Sequence, residues 1–318
     1  MSFSAVLGQD RPVERIKNYI LNGRLAGAYL FTGPEGVGKF LAALEFAKAL
    51  NCLTLEADAC DRCASCLKMN KLQHPDLHII DSEGEDLKIE HIRQLQKDIS
   101  LRPYEARCKV FILRDAHNLN PASSNALLKI LEEPSGHSRI ILVTDKPARL
   151  LKTVISRCQV VKFSPLARQG LERVLRQGYA VEEKEAHFLA YLSEGRVGRA
   201  LGLKDTHFLA EKNAAIDEFV LGKSSGFSGK GILDRDDTRR ILNILATWFR
   251  DLYLAKAGIP ESEMINLDRK EELFKLTSKF TFVQLDEIMG FISRSLLYVD
   301  QNVNTKLLIS NLTLLLKG

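Results

Sequence analysis

In the first half of the chain, short apolar runs alternate with longer stretches in which apolar residues recur every third or fourth position. Runs of about five, bounded by turn residues, suit strands buried on both faces, and the longer period suits an amphipathic helix. Strands are predicted at 28–32, 77–81, 109–113, 139–144 and 159–163. A helix is expected over 40–50, another over 121–133 with Asn120 as cap and Pro121 in its first turn, and a short one around 147–154. Such alternation implies a parallel sheet with helices on both faces. Pro165 closes this block, and from 166 to about 203 the pattern is helical, punctuated by Gly195 and Gly198.

No strand pattern returns beyond that point. An amphipathic helix is predicted over 238–257, carrying the only tryptophan, Trp248, and apolar helices over 282–298 and 304–317 need packing partners. Residues 222–231, Gly-Lys-Ser-Ser-Gly-Phe-Ser-Gly-Lys-Gly, are a flexible loop by composition. The expected order is an α/β core at 1–165, a small helical bundle at 166–204, and an all-α region at 205–318.

The strand at 28–32 runs into Gly33-Pro34-Glu35-Gly36-Val37-Gly38-Lys39-Phe40. This is a phosphate-binding loop in every position but the last. In such loops backbone amides at a helix N-terminus cradle phosphates, the lysine reaches the β/γ-phosphates, and a terminal Ser or Thr hydroxyl ligates Mg²⁺. Phe40 has no oxygen to offer a metal. A second strand should then supply a carboxylate for the same ion. Here Val110-Phe111-Ile112-Leu113 leads into Arg114, where that carboxylate would stand, and then Asp115. Successive strand residues face opposite ways, so Asp115 cannot take over the position without a bulge. Two lesions at matched positions point to an NTPase fold that no longer hydrolyses nucleotide.

Four of the six cysteines form a second motif, Cys52-x7-Cys60-x2-Cys63-x2-Cys66, while Cys108 and Cys158 stand apart in apolar surroundings. Four thiolates so spaced can close a tetrahedral, structural Zn²⁺ site with no open coordination position. Disulfides or buried reduced thiols are the alternatives. The polar run around Cys60 disfavours buried thiols, and the lack of a secretory signal disfavours disulfides.

The 318 residues are enough for two or three domains, and 45% hydrophobic with 27% charged residues is ordinary for a globular protein. A net charge of +5 permits contact with DNA without arguing for autonomous tight binding. No run of about 18 apolar residues occurs, and the N-terminus lacks a basic segment followed by an apolar core. The expectation is a soluble, cytoplasmic protein that does not enter membranes.

Together these features resemble the δ′-type subunits of the bacterial replicative clamp loader, AAA+ proteins of the DNA polymerase III holoenzyme. The resemblance covers nearly the whole chain. It includes Val6-Leu7-Gly8-Gln9, Ala28-Tyr29-Leu30-Phe31, His74-Pro75-Asp76, Asn125-Ala126-Leu127-Leu128-Lys129 with Leu131-Glu132-Glu133-Pro134, and Ser156-Arg157-Cys158. It implies a RecA-like AAA+ core with a zinc module, a helical lid, and an all-α collar that builds a pentameric ring with γ/τ and δ subunits. The assembly would load the sliding clamp onto primer-template DNA. By the same resemblance Arg157 matches an arginine finger inserted into a neighbour's ATP site, Thr144 the sensor-1 position and Arg199 sensor 2. Thr144 and Arg199 could also survive only as packing or hydrogen-bonding residues, and Arg157 could be a surface arginine paired with Glu132 or Glu133.

Departures from the family pattern refine this expectation. Its ATPase members carry Ser or Thr where Phe40 stands, and Asp-Glu where Arg114 and Asp115 stand. The chain is therefore expected to be the non-hydrolysing stator, not the motor, which argues against binding of ATP with Mg²⁺. Lys39 and the amides of 36–39 could still hold a phosphate, or Phe40 could plug the pocket. Two competing functions remain: a weakly active γ-like ATPase using Asp115, and a zinc-bearing DNA-binding protein using residues 52–66.

Overall fold

The computed structural model describes residues 2–81, 86–223, 234–301 and 303–317. Contacts divide the chain into two compact units, Met1–Val174 with Glu194–Arg199, and Leu175–Ser193 with Ala200–Gly318.

The first unit is built on five parallel strands, β1 (Ala28–Thr32), β2 (Leu77–Ile80), β3 (Lys109–Leu113), β4 (Ser138–Thr144) and β5 (Gln159–Lys162), in the order β2-β3-β4-β1-β5. The five predicted strands are thus all present, with ends shifted by at most one residue. Side chains alternate across the sheet, so each face has its own core. Tyr29, Phe31, Val110 and Ile112 pack with Ile16 of α1 (Asp10–Leu21) and Phe46 of α2 (Lys39–Asn51). Leu30, Phe111 and Leu113 pack with Ile92 and Leu95 of α4 (Ile89–Ser100) and Leu127 of α5 (Pro121–Glu132), while α3 (Ala64–Asn70) belongs to the cysteine segment.

As expected, α5 has Asn120 as its cap, with the Asn120 side chain accepting from the Ser123 amide, and Pro121 in its first turn. The single short helix expected around 147–154 is instead a 3₁₀ turn at Pro147–Arg149 followed by the one-turn α6 (Lys152–Ile155). Leu150 and Leu151, both extended, separate the two.

Register places the functional loops together. Thr32 pairs with Thr144 and Ile80 with Leu113, so the chain leaves β1, β2, β3 and β4 at one edge of the sheet. That carboxyl edge is where parallel α/β sheets present ligand-binding loops.

After β5 the described residues are all helical or irregular: α7 (Arg168–Tyr179), α8 (Glu183–Leu192), α9 (Val197–Asp205), α10 (Phe208–Phe219), α11 (Arg235–Lys256), α12 (Lys270–Leu276), α13 (Phe282–Asp300) and α14 (Thr305–Lys317). In the second unit Trp248 is fully buried on α11 with Ile241, Leu245 and Leu252. Arg235 begins α11 because Asp234 caps it, accepting from the Asp237 amide. Of the predicted flexible loop at 222–231, residues 224–231 lie outside the described residues.

Candidate functional site

The loop from Gly33 to Gly38 takes backbone conformations that side chains resist, with Gly33, Gly36 and Gly38 at φ of 147°, 78° and 93°. A Cβ at Gly33 would meet the Phe163 carbonyl at 2.3 Å. Gly198 donates its amide to the Gly36 carbonyl at 2.7 Å, an approach close enough that a Cβ on Gly198 would meet Gly36 at 3.1 Å. The predicted sensor-2 segment is therefore packed directly on the loop. Arg199 itself contributes backbone to that contact, while its guanidinium pairs with Glu194 at 3.7 Å.

Lys39 opens α2 and turns inward. Its Nζ donates to the carbonyls of Gly33 and Pro34, each at 2.6 Å, and the side chain is buried. Burial pulls its pKa below the usual lysine value, opposed by the carboxylates of Asp145, Glu35 and Asp115. A phosphate entering the loop would have to draw the ammonium away from these two carbonyls.

Phe40 and Arg114, the two positions expected from the sequence to hold metal, touch one another. Val110, Ile112 and Arg114 share the sheet face on which α2 packs, so strand alternation aims Arg114 at α2. Its guanidinium lies 4.8 Å from the Phe40 ring centroid, and Nη1 reaches Asp81 Oδ2 at 2.5 Å across the ends of the neighbouring strands. Phe40 is partly buried against the α2-side core.

Asp115 follows in the left-handed region, at φ 46°, and leads into a 3₁₀ turn at Ala116–Asn118. There it joins His117 and Asp145, whose ligand-type atoms all lie within 4.8 Å of one another. His117 Nδ1 stands 3.2 Å from Asp145 Oδ1 and 3.1 Å from the Thr144 hydroxyl, and that hydroxyl accepts from the Lys146 amide at 3.0 Å. The predicted sensor-1 hydroxyl is thus already engaged. Neither His117 nor Asp145 was singled out from sequence. His117 lies in the altered strand motif, but only the turn at Asp115 brings it back toward β4.

The four cysteines Cys52, Cys60, Cys63 and Cys66 converge, with their sulfurs within 4.8 Å of one another. Backbone amides point at these sulfurs, Leu55 to Cys52 at 3.4 Å, Cys63 to Cys60 at 3.3 Å and Cys66 to Cys63 at 3.5 Å. Such N–H···S bonds favour the thiolate. The Cys60 thiol is drawn down to about 5, chiefly by the Thr54 hydroxyl, whereas burial pushes Cys66 up to about 12. Four sulfurs at one point, cradled by amides, fit a zinc ion by donor chemistry. The isolated thiols differ: burial alone pushes Cys158 up to about 12, and Cys108 rises to about 11.

A buried charge cluster ties this segment to the sheet core. Lys48 of α2, fully buried, pairs with Glu45 at 2.7 Å and with Asp61 of the cysteine segment at 2.6 Å. The same helix carries Lys39 at its start and meets Cys52 at its C-cap.

Arg157 follows α6. Its Nη1 donates to the Thr153 carbonyl at 3.0 Å, and its Nη2 pairs with Glu132 Oε1 at 2.7 Å, with the side chain about one-third exposed at 35%. Among the described residues no helix is long and apolar enough to cross a membrane.

Residues 8–167 match a family described as DNA polymerase III, delta subunit, and residues 207–317 match one described as DNA polymerase III, delta subunit, C terminal. The chain is 31% identical over 324 residues to DNA polymerase III subunit delta′ of Bacillus subtilis, covering 97% of this chain and 96% of that protein. It is 28% identical to subunit tau of the same organism, covering 92% of this chain but 57% of tau. With subunit tau of Escherichia coli it shares 36% identity over 210 residues, 64% of this chain and 32% of that one. A solved gamma subunit-related protein of Thermotoga maritima aligns over 96% of this chain and 99% of its own at 17% identity and a TM-score of 0.45. With a parallel α/β core, a four-cysteine cluster and a delta′ relative matched almost end to end, this chain belongs to the DNA polymerase III delta′ family of clamp-loader subunits.

Proposed function

We propose that the chain is a non-hydrolysing stator of the clamp loader, which closes a pentameric ring with γ/τ and δ subunits and offers Arg157 to the ATP site of a neighbour. The contact that carries this reading is Arg114 stacked on Phe40. Both positions that should hold Mg²⁺ are occupied by side chains that cannot, and they are packed against each other. A metal held at these positions would neutralise charge developing on the phosphates, and neither Phe40 nor Arg114 offers it a side-chain oxygen. The inward turn of Lys39 supports the same reading.

The catalytic contribution would then be made in trans. An arginine from a neighbouring subunit stabilises charge developing on a γ-phosphate and can be worth orders of magnitude in rate. Arg157 is exposed and held at the end of a short helix, as such a role requires. Zinc would be held by Cys52, Cys60, Cys63 and Cys66 in a structural role. Residues 1–165 would act as the AAA+ core, 166–204 as the lid, and 205–318 as the collar. Clamp opening and loading onto primed DNA in the cytoplasm would be properties of the whole assembly.

The γ-like alternative draws on Asp115, which stands with His117 and Asp145 near Lys39. One experiment separates the two. ATP hydrolysis is measured for the isolated chain and for the reassembled loader with clamp and primed DNA, using wild-type and Arg157→Ala chains. The stator reading expects an inert isolated chain and a slower assembly on Arg157→Ala. Mg²⁺-dependent turnover by the isolated chain, abolished by Lys39→Ala, would replace it with the ATPase reading.

A further inference from the structure

Arg157 does not stand free. It is clamped between the last residue of α5 and the last turn of α6, with Nη2 on Glu132 at 2.7 Å and Nη1 on the Thr153 carbonyl at 3.0 Å. One carboxylate oxygen thus lies against a terminal nitrogen of the guanidinium, the group that recognises phosphate through its N–H groups. Glu132 and a γ-phosphate compete for the same cation.

We propose that Glu132 is a latch on Arg157: a positioning residue that holds the guanidinium in place before a neighbour's nucleotide arrives and must release it when the γ-phosphate binds. This rests on the reading of Arg157 as a trans-acting finger. Release follows from electrostatics, since a carboxylate kept beside the γ-phosphate would place like charges together in the site where negative charge accumulates. The latch must also be weak. Glu132 is about half exposed at 51% and Arg157 at 35%, and ion pairs this open to solvent are worth at most about 1 kcal/mol. That is strong enough to select one orientation of a long side chain and weak enough for a phosphate to displace. The Thr153 carbonyl lies on the other nitrogen and can stay bonded throughout, so the arginine need not be reordered from the beginning.

Because the pair breaks as nucleotide binds, its cost falls equally on the bound ground state and the transition state. It therefore appears in KM and not in kcat. The test uses the reassembled clamp loader with clamp and primed DNA, and five chains: wild-type, Glu132→Gln, Glu132→Ala, Arg157→Ala and the double variant Glu132→Gln/Arg157→Ala. Glu132→Gln is expected to lower the KM for ATP by up to about fivefold, the ratio that corresponds to about 1 kcal/mol. In the Arg157→Ala background the same substitution is expected to change nothing, because there is no finger to release. Glu132→Ala, lacking any side-chain acceptor, should reproduce Glu132→Gln.

Three outcomes overturn the latch: an unchanged KM, a KM shift of the same size with and without Arg157, or a fall in kcat in place of the KM change. The finger reading fails separately, when Arg157→Ala leaves the turnover of the assembly intact, and the latch then falls with it.

Discussion

The guanidinium of Arg114 lies over the ring of Phe40, 4.8 Å from its centroid. Arg114, where a metal-ligating carboxylate is expected, is packed on Phe40, where a metal-ligating hydroxyl is expected, and Asp81 pairs with the arginine. The two side chains are therefore mutually accommodated. Restoring one alone should leave the site inactive. Phe40→Thr strips the arginine of its aromatic contact but leaves its positive charge near the site, and Arg114→Asp sets a new carboxylate beside Asp81. Titration calorimetry with ATP and Mg²⁺ is expected to show binding for the double variant Phe40→Thr/Arg114→Asp and none for either single variant. Equal binding by a single variant would show that the pair does not block the site.

The cysteine cluster makes a compositional prediction. Metal analysis is expected to find one zinc per chain, and Cys66→Ser or treatment with a strong chelator should destabilise the first unit by roughly 2 kcal/mol or more, about 4–8 °C in Tm. A chain with no zinc, or one whose melting ignores chelation, would refute the structural role.

Lys48 predicts a larger effect from one substitution. Removing its charge leaves Glu45, which is 1% exposed, buried without the lysine that pairs with it. Breaking a buried ion pair from one side typically costs about 3–5 kcal/mol. Lys48→Met should therefore be strongly destabilising in urea unfolding, and Glu45→Leu added to it should recover much of the loss. A single variant as stable as wild type would mean that the cluster is held by something other than charge.

Asp76 predicts a pH dependence. Its fully buried carboxylate accepts from the amides of Tyr104, Glu105 and Ala106 at 2.7, 2.9 and 2.9 Å. Burial alone would raise its pKa, but the three N–H groups and nearby His74 outweigh it, and the carboxyl sits below its usual value. A depressed folded pKa contributes stability above the unfolded value, about 3.9, and loses it as pH falls through the lower folded value. Asp76→Asn, equal in size, should cost about 1–3 kcal/mol at pH 7. The gap from wild type should narrow below about pH 4. A gap that stays constant into acid would show that charge at Asp76 does not matter.

Much of this was legible in the residues. The central strands could be read because a strand buried on both faces needs a near-continuous apolar run, as Ala28–Thr32 and Lys109–Leu113 provide. The loop at Gly33 to Lys39 and the cysteine quartet were legible because their chemistry requires particular residue types at short, fixed spacings. Helix α6 was less so. A four-residue helix has too few positions to show a period, and the pair of extended leucines before it reads equally well as helix.

Contacts between distant segments carried no such signal. Nothing in the order of residues says that β2 lies beside β3, so the pairing of Asp81 with Arg114 could not be foreseen. The same holds for Asp145 meeting His117, and for Asp61 reaching Lys48. Sequence by itself determined which atoms were available: a glycine-rich loop ending in Phe40, a strand followed by Arg114, four thiols and the arginine of Ser156-Arg157-Cys158. Tertiary structure alone decided what those atoms face. Sheet order and a left-handed turn set distances between residues far apart in the chain, and distance decides whether a charge is paired, idle or poised for a partner.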